Sequence, residues 1–162
     1  MQCTSQEKQL QLLALVLADG NKPYRCCPAY LFSETKDNED SVMTQGIHML
    51  SDNSAQILCI INDVTGTNSG YPGATVWRKK LLRQGALLSE IAIIPCREQL
   101  NTYTESFAVA THAKENGWKN LTIVAPPFHQ LRAFTSICEL RNSLFSRFHT
   151  TMTTDALRRP LS

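Results

Sequence analysis

The chain has 162 residues, enough for one ordinary domain and too few for two of typical size. Hydrophobic residues make up 43% and charged residues 19%, which supplies a core and excludes an intrinsically disordered chain. Sixteen Lys and Arg against fourteen Asp and Glu leave +2, so there is no electrostatic footprint for nucleic acid or for an anionic membrane.

In chain order, the first apolar run, Leu12 to Ala18, is seven residues long, against the roughly 20 needed to cross a bilayer. No secretory signal pattern is read either, so a soluble, cytoplasmic domain is expected. The run at Gln11–Ala18 is expected to be the first strand, ending at Asp19-Gly20. A loop of about twenty residues, Gly20 to Asn38, follows it, and loops of that length carry function. Val42, Met43, Gly46, Ile47 and Leu50 then form a helical stripe. Gln56–Ile61 is the second expected strand, followed by the polar turn Asn62 to Gly70. Val76, Trp77, Leu81 and Leu82 mark the next helix, whose Arg78-Lys79-Lys80…Arg83 run reads as a solvated face.

Ile91–Pro95 is the third strand. Leu100, Tyr103, Phe107, Ala110 and Ala113 are the apolar stripe of the helix after it. Leu121–Ala125 is the fourth strand, stopped by Pro126-Pro127. Phe128, Leu131, Phe134, Ile137, Cys138 and Leu140 give the last stripe, and residues 147–152 fit an edge strand. Short unalternating apolar runs separated by helical patterns are the signature of strands buried on both faces. The expected fold is therefore a Rossmann-like three-layer α/β domain over residues 1–152, with a mostly parallel sheet of about five strands and a tail at 153–162.

Six cysteines are present, and Cys59, Cys96 and Cys138 fall in apolar patterns where a free thiol acts as a small hydrophobe. Cys26 and Cys27 are adjacent, which is not the C-x-x-C spacing of redox or zinc motifs, so no metal is expected there. The chain has no G-x-G-x-x-G, no Walker loop and no G-x-S-x-G elbow.

Two segments carry chemistry. Asn101-Thr102-x-x-Glu105 follows the third strand. The Thr102/Glu105 spacing fits a capping box, a purely structural role that leaves Asn101 unexplained. The same carboxamide, hydroxyl and carboxylate could equally orient a polar ligand. Phe128-His129-Gln130-Leu131-Arg132-Ala133 opens the helix after the fourth strand. His129 and Arg132 are three apart, hence on one helical face, beside the unpaired amides of a first turn, where an anion is favoured. A surface histidine and a solvated arginine are the plain alternative. In the functional reading His129 is a general acid or base, and Glu105 orients it or accepts from the ligand. Asn101, Thr102 and Arg132 bind the ligand, with Asp19 and Gly20 as further binding candidates at the first strand's end.

The Asn101-Thr102-x-x-Glu105 and His129-x-x-Arg132-Ala133 segments, with the strand Leu121–Val124 between them, resemble the YdcF/SanA/ElyC-like family of Rossmann-like domains. The resemblance spans about Leu12 to Leu140. It departs at the glycine-rich turns, where this chain has Ala18-Asp19-Gly20 and Asn62 to Gly66. Members mostly have no assigned activity, so the resemblance implies a fold and a ligand site rather than a reaction. The expected function is binding of a small anionic ligand at the carboxyl edge of the sheet, with acid–base catalysis by His129. A non-catalytic regulatory or interaction domain is the alternative. A nucleotide or S-adenosylmethionine enters by fold analogy alone.

Overall fold

The computed structural model describes residues 26–63, 70–126, 128–130, 132, 133, 135–137 and the backbone of 149–153. In chain order these form β1 (Cys27–Leu31), α1 (Glu39–Ser51), β2 (Ala55–Asp63), α2 (Ala74–Arg83) and a 3-10 turn at Leu88–Glu90. β3 (Ile91–Cys96), α3 (Thr102–Glu115) and β4 (Asn120–Val124) follow. A helix with described residues between 128 and 137, α4, and β5 (His149–Thr153) complete the order. Among the described residues the sheet order is β3-β2-β1-β4-β5, and every neighbouring pair is parallel. The expected Rossmann-like α/β fold is present: β3, β2, β1 and β4 are contiguous parallel strands, and β5 adds to β4 where an edge strand was expected.

The N-terminal part of the reading needs correction. The expected first strand and its Asp19-Gly20 turn lie outside the described residues. The central strand is β1, wholly buried, inside the segment expected to be a loop from Gly20 to Asn38. Pro28 is the physical reason it escapes notice: proline cannot donate to a ladder and argues against a central strand. A register irregularity between Cys27 and Pro28 absorbs it. β1 also separates β2 from β4, so the runs at Ile57 and Leu121 are not adjacent strands. Pro95 raises no such difficulty, because β3 is an edge strand.

Helix stripes are partly as expected. α1 buries Val42, Met43, Gly46 and Met49. A Cβ on Gly46 would stand 2.9 Å from Leu31 Cδ2, so α1 rides directly on β1 at its smallest residue. In α2, Trp77 and Leu81 are core, while Val76 and Leu82 remain more than a third exposed. Lys80 is not simply solvated: it pairs with the buried carboxylate of Glu39 and ties α2 to the start of α1. In α3 the buried face is Glu105, Ser106, Val109, Ala110 and Ala113. Tyr103 and Phe107, expected in the core, are exposed, because the face turned inward is the one that carries Glu105, Ser106 and Val109. Phe128 is exposed as well, while Ala133 and Ile137 are buried; Leu131, Phe134, Cys138 and Leu140 lie outside the described residues. Cys59 and Cys96 are buried as expected, and burial pushes the Cys59 thiol up to about 12. No helix among the described residues is long and apolar enough to cross a membrane.

Candidate functional site

The strand order reverses direction at β1. From β1 the chain steps outward through β2 to β3, then returns to lay β4 on the other side of β1. The segments leaving β1 and β4 therefore diverge, and the crevice between them is where open α/β sheets bind ligands. Ser33 and Glu34 leave β1 there, and the Phe32 amide extends the ladder by donating to the Val124 carbonyl at 2.9 Å. His129 and Arg132 lie at the start of α4, whose first turn is set by His129 and Gln130 amides donating to the Pro126 carbonyl. Asn101, Thr102 and Glu105 come from the start of α3. Ser33, Glu34, Asn101, Thr102, Glu105, His129 and Arg132 line one cavity of about 390 Å³, together with Thr35, Asn38, Tyr71, Leu100 and Phe128.

The centre of the site is His129, 8% exposed. Its Nδ1 lies 2.5 Å from Glu34 Oε1, and its Nε2 lies 2.9 Å from Arg132 Nη2. A guanidinium has donors only, so Nε2 must accept, and the ring proton sits on Nδ1, donated to Glu34. Glu34 is 5% exposed, so the carboxylate fixes both the ring plane and the tautomer from a dry position. Phe32 packs edge-on against the imidazole at 5.0 Å. Thr102 Oγ1 stands 3.4 Å from Nε2, ready to accept from that nitrogen if the ring gains a second proton. The arrangement holds one ring nitrogen toward the cavity, backed by the Glu34 carboxylate and covered by the Arg132 guanidinium.

Beside it, Glu105 is a second buried carboxylate, 2% exposed. Its Oε1 accepts from the Tyr30 hydroxyl at 2.6 Å and the Ser33 amide at 2.7 Å, and its Oε2 accepts from the Ser33 hydroxyl at 2.6 Å. Burial pushes its carboxyl from 4.5 up to about 7, against the Ser33 and Tyr30 hydrogen bonds and the nearby His129, which pull the other way. Burial and the neighbouring carboxylate keep Tyr30 protonated well above its usual range, so it remains a donor. Glu105 thus clamps the backbone at Ser33, the residue before Glu34.

The expected capping roles are reversed. Asn101, not Thr102, is the N-cap of α3, its side chain accepting from the Tyr103 and Thr104 amides at 2.9 and 3.0 Å. Thr104 completes the box by accepting from the Asn101 amide at 3.0 Å. Thr102 and Glu105 are therefore released from capping, the one facing His129 and the other clamping Ser33. Glu105 does not orient His129; Glu34 does.

Of the residues singled out from sequence, Asn101, Thr102, Glu105, His129 and Arg132 meet in one cavity, while Asp19 and Gly20 lie outside the described residues. Sequence reasoning missed Tyr30, Ser33 and Glu34. The available signal was the apolar run Ala29–Phe32 broken by Ser33-Glu34-Thr35, a buried strand running into a polar turn. Among the described residues no group of three or more His, Cys, Asp or Glu could hold a metal ion. Compared with protein-family models, curated proteins and solved structures, the chain matches none.

Proposed function

We propose that this domain binds a small anionic ligand in the crevice where the strand order reverses, with His129 as its general acid or base. The observation that carries the reading is the Glu34–His129–Arg132 chain of contacts opening into that crevice. In the free state Arg132 rests on Nε2. An anion competes for the guanidinium, because a charge-assisted contact to carboxylate or phosphate is stronger than one to a neutral ring. Drawing Arg132 away frees Nε2 to take a proton, and the resulting imidazolium lies between Glu34 and the anion. The site is thereby built to exchange a proton when ligand arrives. The placement of the chain as YdcF-like belongs to the same proposal and rests on the Asn101-Thr102-x-x-Glu105 and His129-x-x-Arg132-Ala133 segments.

Binding coupled to proton uptake strengthens as pH falls. Two groups act in that direction, since Glu105 also loses its charge below about 7. Calorimetric titration of inorganic sulfate, whose charge does not change between pH 5 and 8, tests the reading. Wild type gains affinity toward pH 5, His129→Ala loses most of that gain, and the remainder disappears in Glu105→Gln. Arg132→Lys keeps the charge but loses the planar fork, and weakens binding about tenfold. Affinity that is flat with pH and indifferent to His129→Ala and Arg132→Lys would leave a non-catalytic interaction domain as the better description.

A further inference from the structure

The anion reading leaves Phe128 unused. It is 71% exposed and still lines the same cavity as His129 and Arg132. The other apolar walls are already closed by the chain itself. Leu100 is 4% exposed and Tyr71 2%, the latter donating its hydroxyl to the Ile61 carbonyl and packing edge-on against Trp77. Among the described residues Phe128 is the apolar surface of the cavity still open to water, and covering a phenyl ring is favourable in proportion to the area removed from solvent. Its position is specific. Phe128 and Arg132 are four apart on α4, so they share a face, with Cβ atoms about 5–6 Å apart. A permanent cation with five planar donors and an open aromatic face thus stand side by side over a cavity of about 390 Å³. That volume suits a compact ligand with one ring system and one acid group.

Resting on the anion reading of this site, we infer that its ligand carries a planar aromatic ring a few bonds from the acid group, as in an aryl or nucleoside monophosphate. The acid group takes Arg132 and His129, and the ring lies against Phe128. Stacking on an exposed aromatic tolerates many ring types, so Phe128 selects for the presence of a ring and not for its edge pattern. The polar residues of the cavity select the charge.

The test separates the two parts of the ligand. Methyl phosphate and phenyl phosphate carry the same acid group and differ in the ring. Calorimetric titration of both at pH 6.5 should give phenyl phosphate an advantage of about tenfold or more in wild type, equivalent to about 1.4 kcal/mol. Phe128→Ala should collapse that ratio to near one. Because the side chain is largely exposed, a melting curve should show the variant folded like wild type. Phe107→Ala removes an exposed phenyl ring of α3 outside the cavity and should leave the ratio intact. Arg132→Lys should weaken both esters by the same factor. A wild-type ratio near one, a ratio that survives Phe128→Ala, or an equal fall in Phe107→Ala overturns the inference while leaving the anion site standing. Failure of both esters to bind at millimolar concentration overturns the anion reading, and this inference with it.

Discussion

A carboxylate at Glu105 that accepts three hydrogen bonds and is still held near neutrality shows which effect dominates at this residue. Three donors ordinarily pull a carboxyl below its usual value, so the desolvation they fail to offset is large. The consequence for stability has a definite sign. The folded state binds the Glu105 proton more tightly than the unfolded chain, so stability from this group is greatest below pH 4.5 and is lost as pH rises to about 7. The loss is on the order of 3 kcal/mol. Glu105→Gln removes the titration while keeping acceptors for the Tyr30 hydroxyl and the Ser33 amide. Urea unfolding at pH 5 and pH 7.5 should therefore show wild type losing stability relative to Glu105→Gln across that interval. Parallel profiles for the two proteins would mean that Glu105 is not held near neutrality. The residue lesson is about side-chain direction: Glu105 sits where a capping box was expected, but on the buried face of its helix, and only its tertiary neighbours reveal that.

Among the elements, the start of α3 corrects a capping box that the spacing assigns to Thr102 and Glu105. Asn101 and Thr102 are both good caps by residue type. The structure gives the cap to Asn101 and frees Thr102 toward His129. Asn101→Ala should then cost about 1–2 kcal/mol in urea unfolding, and Thr102→Ala less than about 0.5 kcal/mol. The opposite order would return the cap to Thr102. Other elements were legible to different degrees, for reasons that are physical. β2, β3 and β4 were readable because strands buried on both faces are continuous apolar runs with breakers at each end. β1 was not, because Pro28 near its start mimics a loop and only the irregularity beside it lets the strand run through the centre. Missing β1 meant missing Ser33, which Glu105 clamps, and Glu34, which holds His129. The α3 and α4 stripes were misphased at Tyr103, Phe107 and Phe128, which are exposed. Apolar periodicity marks a face but does not say whether that face turns to the core, to solvent, as at Tyr103 and Phe107, or to the rim of a cavity, as at Phe128.

For the whole molecule, the order β3-β2-β1-β4-β5 matters more than any one contact. It brings Ser33 and Glu34, Asn101, Thr102 and Glu105, and His129 and Arg132, far apart in the chain, to one edge of the sheet, and it opens the crevice beside β1. The meeting of Asn101, Thr102, Glu105, His129 and Arg132 was foreseeable from alternation and strand ends. The Glu34 partner of His129 was not, since it depends on which strand takes the centre. Everything proposed for this domain turns on His129: neutral with its proton on Nδ1 when Arg132 covers Nε2, and doubly protonated when an anion takes the guanidinium. The most direct measurement is a long-range proton–nitrogen NMR spectrum of the imidazole rings at pH 7, with His129 assigned by a His129→Gln variant. The free protein should show the Nδ1–H form for His129, and saturating phosphate should convert it to the doubly protonated pattern. An Nε2–H form in the free protein, or a His129 signal that phosphate leaves unmoved, would contradict the account.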